Sequence, residues 1–101
     1  MFSLKSPELD QLFEAVLCLR SVEECRAFFG DLCTIKELQD LSQRLNVAIR
    51  LTEGKNYGDV SAETGVSATT ISRINRCLVY GEGGYRIALD RLGVQGKKEK
   101  D

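Results

Sequence analysis

A chain of 101 residues supports one domain with a modest hydrophobic core and leaves little length for a second. A formal charge of −1 and a pI near 5.5 exclude a surface that is basic all over. With no histidine, and four cysteines free of any Cys-x-x-Cys spacing, no zinc site, other metal or cofactor is expected.

The chain opens Met-Phe-Ser-Leu-Lys-Ser-Pro, without a long apolar stretch followed by a small-residue cleavage site, and no apolar run approaches a membrane span. A soluble, cytoplasmic protein with no membrane partner is expected. Cys18, Cys25, Cys33 and Cys77 sit in or beside apolar helical stripes and read as small buried thiols in a reducing compartment.

Helix signals follow in order. Ser6-Pro7-Glu8 supplies an N-cap, a proline at the first helical position and an acid in the first turn. Leu9, Leu12, Phe13, Val16 and Leu17 then recur at helical spacing. Ser21-x-x-Glu24 is a capping box for a second helix, with Val22, Cys25, Phe28 and Phe29 as its apolar side. Thr34-x-x-Glu37 opens a long third helix that turns Leu38, Leu41, Leu45, Ala48 and Ile49 inward and ends at Gly54.

The run Asp59 to Arg76 reads Asp-Val-Ser-Ala-Glu-Thr-Gly-Val-Ser-Ala-Thr-Thr-Ile-Ser-Arg-Ile-Asn-Arg, the pattern of a helix-turn-helix. Asn56 caps its first helix, with Asp59 in the first turn. Small Ser61 and Ala62 beside Val60 allow close packing, Gly65 takes the sharp turn, Val66 plugs it from inside, and Ser67 caps the second helix. Ile71, Ile74 and Leu78 form the inward stripe of that helix. Thr69, Ser72, Arg73 and Arg76 lie on the opposite face, and no acid occurs between Thr64 and Val79.

Gly81-Glu82-Gly83-Gly84 is a connector without the spacing or flanking strand of a phosphate loop. A last helix carries Tyr85, Ala88, Leu89 and Leu92 and stops at Gly93. The tail with Lys97, Lys98 and Lys100 is expected to be disordered and to brush DNA weakly. The expected fold class is all-α: six helices in a single domain over residues 1–93. Residues 7–54 and 85–92 would be core and dimerisation helices, 57–78 the helix-turn-helix, and 94–101 the tail.

Charge is unevenly spread. Met1 to Ser42 holds eight acids against four bases, whereas Gln43 to Tyr80 holds five bases against three acids, so any nucleic-acid contact is local. The first two helices also present more large apolar side chains (Leu12, Phe13, Leu17, Phe28, Phe29, Leu32) than so short a chain buries easily. A symmetric homodimer sharing them would cover them and present two reading helices.

These features point to a sequence-specific transcriptional regulator whose partner is a double-stranded DNA operator. Ala68, Thr69 and Ser72 would meet base edges or thymine methyls, Arg73 and Arg76 phosphate or guanine, and Ser67 and the helix N-terminus the backbone, with Thr70 counted among the DNA-binding residues. Such short side chains leave much of the specificity to water and DNA shape. A protein–protein adaptor using the same motif is the alternative, supported by the acidic N-terminal half. An enzyme is not expected: no nucleophile with a plausible base, phosphate loop or metal cluster is present.

The layout of N-terminal helices, a long helix ending at Gly54, a helix-turn-helix and a short closing helix resembles the tryptophan-repressor family. The likeness is good from Thr34 to Leu92 and is one of layout before that. The stretches from Thr34-Ile-Lys-Glu-Leu to Arg44 and from Gly65 to Arg73 are most similar to repressor-related members of unassigned regulation. Asp59 to Arg73 is also similar to the headpiece of the lactose-repressor family, without the sugar-binding domain that follows there. The resemblance implies an all-helical, intertwined dimer with two DNA-reading heads. Half-sites would then lie about 34 Å apart, the spacing of dimeric helix-turn-helix repressors, the tryptophan repressor among them.

The resemblance also implies a ligand pocket. In that family two arginines sandwich the tryptophan ring, and Arg44 and Arg73 match them; Thr34 and Thr70 match pocket-lining residues. Ile74 stands where the family has a glycine that makes room for the indole. Cys77 replaces a serine that hydrogen-bonds the ligand, and a thiol is a weaker partner than a hydroxyl. Tryptophan is therefore not expected as effector; an unidentified small molecule remains open. Arg73 is offered to DNA by its helical position and to a ligand by the resemblance. Ion pairing with Asp40 is an alternative role for Arg44.

Overall fold

The computed structural model describes residues 4–96, and among these it contains six α-helices and no strand. They are α1 (Pro7–Leu17), α2 (Val22–Leu32), α3 (Ile35–Thr52), α4 (Tyr57–Thr64), α5 (Ala68–Tyr80) and α6 (Gly84–Arg91). Of the expected tail, residues 97–101 lie outside the described part. The chain divides into two compact units, one up to Leu38 and one from Gln39 onward.

In the first unit the capping signals act as local chemistry requires. Ser6 Oγ accepts from the Leu9 amide at 3.1 Å, and Ser21 Oγ from the Glu24 amide at 3.0 Å. Glu24 Oε1 accepts from the Arg20 amide at 2.8 Å, one residue before the cap. Thr34 and Glu37 form a full reciprocal capping box: Glu37 N donates to Thr34 Oγ1 at 3.1 Å, and Thr34 N to Glu37 Oε1 at 2.8 Å. Phe28 and Phe29 meet edge to face with ring centroids 5.4 Å apart. Neither α1 nor α2 holds a buried residue, and Leu17 is 83% exposed. The expectation of buried thiols is corrected accordingly. Cys18 is exposed and Cys25 and Cys33 are half-buried, in line with two helices that hold no buried residue.

The second unit holds the buried core: Val47 and Ala48 of α3, Val60 of α4, Val66 of the turn, Ile71 and Ile74 of α5, and Leu89 of α6. Val47 went unnamed in the apolar stripe read from the sequence, whereas Leu41, placed on it, is exposed. The inward face of α3 is thus rotated towards 47, 48 and 51. Val94, assigned to the tail, packs against this core and donates its amide to the Leu89 carbonyl at 2.9 Å.

The turn of the helix-turn-helix has the expected construction. Gly65 adopts φ 77° and ψ 5° and donates to the Ser61 carbonyl at 2.8 Å. Thr64 Oγ1 donates to the Val60 carbonyl at 2.6 Å and accepts from the Val66 amide at 3.2 Å, so the turn is fastened on both sides of the glycine. Val66 is then carried into the core.

Gly65→Ala introduces no steric clash, since nothing lies within 4 Å of the added carbon, yet it forces a side chain into left-handed backbone. A loss of about 1–2 kcal/mol is expected in urea unfolding. Ile71→Ala, which empties a fully buried site, is expected to cost more, about 2–5 kcal/mol.

Candidate nucleic-acid interface

The outward face of α5 follows from what its other face buries. Ile71 and Ile74 are in the core, and helical geometry therefore turns Ala68, Thr69, Ser72, Arg73 and Arg76 outward, where all five are exposed. Ser67 begins the helix as predicted: its hydroxyl oxygen accepts from the Thr70 amide at 3.2 Å and donates to Thr70 Oγ1 at 3.1 Å. Thr70 is thereby tied to the cap. Among the described residues neither Arg73 nor Arg76 forms an ion pair or hydrogen bond within the chain, so both guanidinium groups keep their full donor sets.

The first helix of the motif is anchored at both ends. Asn56 Oδ1 accepts from the Asp59 amide at 2.8 Å. Near its C-terminus Glu63 accepts from Lys55 Nζ at 3.0 and 3.1 Å and from Arg50 Nη1. The hydrogen bond from Lys55 is the main cause that holds the Glu63 carboxyl below its ordinary value; partial desolvation opposes it, and the charges of Lys55 and Arg50 add to it. This network was missed by sequence reasoning, because nothing in the local pattern of α3 or α4 signals a pair across thirteen positions.

Beside the reading face lies a cleft of about 530 Å³ between α3, α5 and the start of α6. Arg44, Thr70, Arg73, Ile74 and Cys77, five of the six residues assigned to an effector pocket, line it together. The sixth, Thr34, belongs to the first unit, where its hydroxyl caps α3. Asp40, Gln43, Val66 and Tyr85 complete the lining. Tyr85, by sequence one of the apolar residues of the last helix, thus also faces the cleft. Burial, and then proximity to Cys77, raise its hydroxyl above the ordinary value, while Arg44 pulls the other way. Cys77 is exposed, a second correction to the buried-thiol expectation: it faces the cleft and not the core. Ile74 is 5% exposed and forms apolar floor. Arg73 borders the cleft from an exposed position, so its outward and pocket placements are compatible.

Among the described residues no cluster suits a metal ion, and no helix is long and apolar enough to cross a membrane. The family described as Trp repressor protein matches residues 7–93. "Uncharacterized protein YerC" of Bacillus subtilis (strain 168) is 55% identical over 89 residues, spanning 88% of this chain and 86% of that one. A TrpR-like protein from Eubacterium eligens ATCC 27750 superposes with a TM-score of 0.86 at 47% identity, over 93% of this chain and 97% of its own. A candidate Trp repressor from Staphylococcus aureus gives 0.87 at 45%, over 93% and 94%.

A carboxyl whose value is depressed by folding stabilises the native state above its unfolded value and loses that contribution as the pH falls through its folded value. The Tm difference between wild type and Glu63→Gln is therefore expected to hold steady near neutrality and to vanish only below the ordinary 4.5. Melting curves that already converge above that value would show that the carboxylate is not held.

Proposed function

The chain belongs to the Trp repressor protein family, and from that premise we propose that it is a sequence-specific DNA-binding transcriptional regulator, a repressor, which lays α5 in the major groove. The observation that carries this reading is the outer face of α5. It is acid-free and exposed, and it bears two arginines without intrachain partners on a chain whose net charge is negative. Ser67 and Thr70 orient the helix start on the backbone, Ala68, Thr69 and Ser72 meet base edges, and Arg73 and Arg76 bind phosphate or guanine. The protein binds and does not catalyse. It acts in the cytoplasm on a double-stranded operator.

The working species in this proposal is a homodimer. Its support is the unburied apolar stripe of α1 and α2, together with exposed Val79, Ile87 and Leu92 on the second unit. Tryptophan is not the effector in this reading, because Ile74 occupies the floor of the cleft where an aromatic ring would need depth. Arg44, Arg73, Asp40 and Tyr85 leave a polar mouth, with two cations against one carboxylate, for another small molecule.

Selection of duplex fragments from genomic DNA on the purified protein tests the function directly. Enrichment of a few palindromic sites is expected, and sedimentation should give twice the chain mass. Arg76→Ala is expected to weaken every sequence alike and to flatten the log–log salt dependence of binding by about 0.9, the share of one phosphate contact. An unchanged slope would remove Arg76 from the interface, and absence of any enriched site would argue for the adaptor reading.

A further inference from the structure

We propose that Glu63 is a charge mask: by holding Lys55 beside Arg50 it withholds the Lys55 ammonium from DNA phosphate and so limits the part of the affinity that ignores sequence. The inference rests on the DNA-binding reading and goes beyond the residues of α5.

The argument begins with how α3 ends. Gly54 adopts φ 95°, its amide donates to the Leu51 carbonyl at 3.0 Å, and the Lys55 amide donates to the Arg50 carbonyl at 3.1 Å. This is a Schellman ending, in which the two residues joined by the longer bond usually make an apolar contact. The chain contains the apolar version as well. After α6, Gly93 at φ 81° donates to the Asp90 carbonyl, and Val94 to the Leu89 carbonyl, with both Val94 and Leu89 in or against the core. At the end of α3 the same geometry brings two cations together instead. Lys55 and Arg50 repel one another unless an anion lies between them.

Glu63 is that anion, and its own helix does not explain its presence. It sits in the last turn of α4, where the helix dipole disfavours a carboxylate. Its partners are Lys55 and Arg50, both from outside α4. Exposed ion pairs of this kind add little to stability. Their larger consequence is the local field: one negative charge cancels half of a basic pair.

Lys55 stands directly before Asn56, the cap of α4. When the second helix of such a motif enters the major groove, the first crosses the phosphate backbone. An unmasked Lys55 would meet phosphate there. A phosphate contact strengthens binding to all sequences equally, and each one steepens the salt dependence by about 0.9 on a log–log scale.

The test uses the full chain, an enriched duplex and a scrambled duplex, with fluorescence anisotropy across a salt series. Glu63→Gln keeps the shape and removes the charge. It is expected to bind the scrambled duplex several-fold more tightly, to steepen the salt slope by about 0.9, and to lower the ratio of specific to non-specific affinity. Adding Lys55→Gln should return the slope to that of the wild type, and Lys55→Gln alone should leave the wild-type slope unchanged. An unaltered slope in folded Glu63→Gln overturns the proposal. So does a flatter slope in Lys55→Gln alone, which settles the matter even if Glu63→Gln does not fold. A wild type that binds neither duplex at the lowest salt removes the DNA-binding reading, and this inference with it; normal wild-type binding with unmoved slopes removes this inference only.

Discussion

The helix-turn-helix depends on a small set of buried contacts around a left-handed turn. Val60, Val66, Ile71 and Ile74 come from the motif itself, and they are buried with Val47 and Ala48 of α3 and Leu89 of α6. The larger of these side chains contribute roughly 1.5–3 kcal/mol each by burial, and Leu45, Ile49, Leu51, Leu78, Tyr85 and Val94 pack against them from the same helices and the segment after α6. Gly65 is what allows the set to close, since it carries the chain from α4 into α5 while Val66 drops inward. The exposure of Arg73 and Arg76 is a by-product of that closure. Fix Ile71 and Ile74 inward, and helical periodicity leaves those arginines no other side.

What the sequence made legible is the part governed by neighbours within four positions. Ser6, Ser21, Thr34, Asn56 and Ser67 each cap the helix they precede, because an N-cap bond joins residues three apart and needs nothing from the rest of the fold. The turn at Gly65 and the outward face of α5 are legible for the same reason. Val47 and Leu41 were harder: several adjacent apolar residues on α3 leave its inward direction ambiguous, and only the approach of α4 and α5 decides it. Cys77 resembled a core residue by spacing but stands at the edge of the stripe, facing the cleft. Tyr85 and Glu63 act on residues far along the chain, so no local pattern could mark them.

Electrostatics separates the roles of the two units more clearly than hydrophobicity does. Acids dominate the first unit, and its helix starts absorb several of them in capping, as Glu24 and Glu37 show. In the second unit the turn and α5 carry no acid at all before Glu82. An acidic body discourages indiscriminate attachment to polyanions, while an acid-free helix preserves attraction at one face. The basic pair at the end of α3, half cancelled by Glu63, belongs to the same distribution of charge. Of the cations near the motif, those on α5 are left open and those before α4 are occupied.

The cleft beside α5 and the outward face that carries Arg73 and Arg76 are two sides of one helix. Arg73 lines the cleft from an exposed position, and Ile74, its neighbour in sequence, is held in the core. A ligand can shift an equilibrium only by the difference in its affinity for the two states. Here a deep insertion would have to displace Ile74, which also anchors α5, so insertion and ordering of the head oppose each other. A ligand that stayed at the mouth would meet Arg44, Arg73, Asp40 and Tyr85 instead, and would leave the core undisturbed.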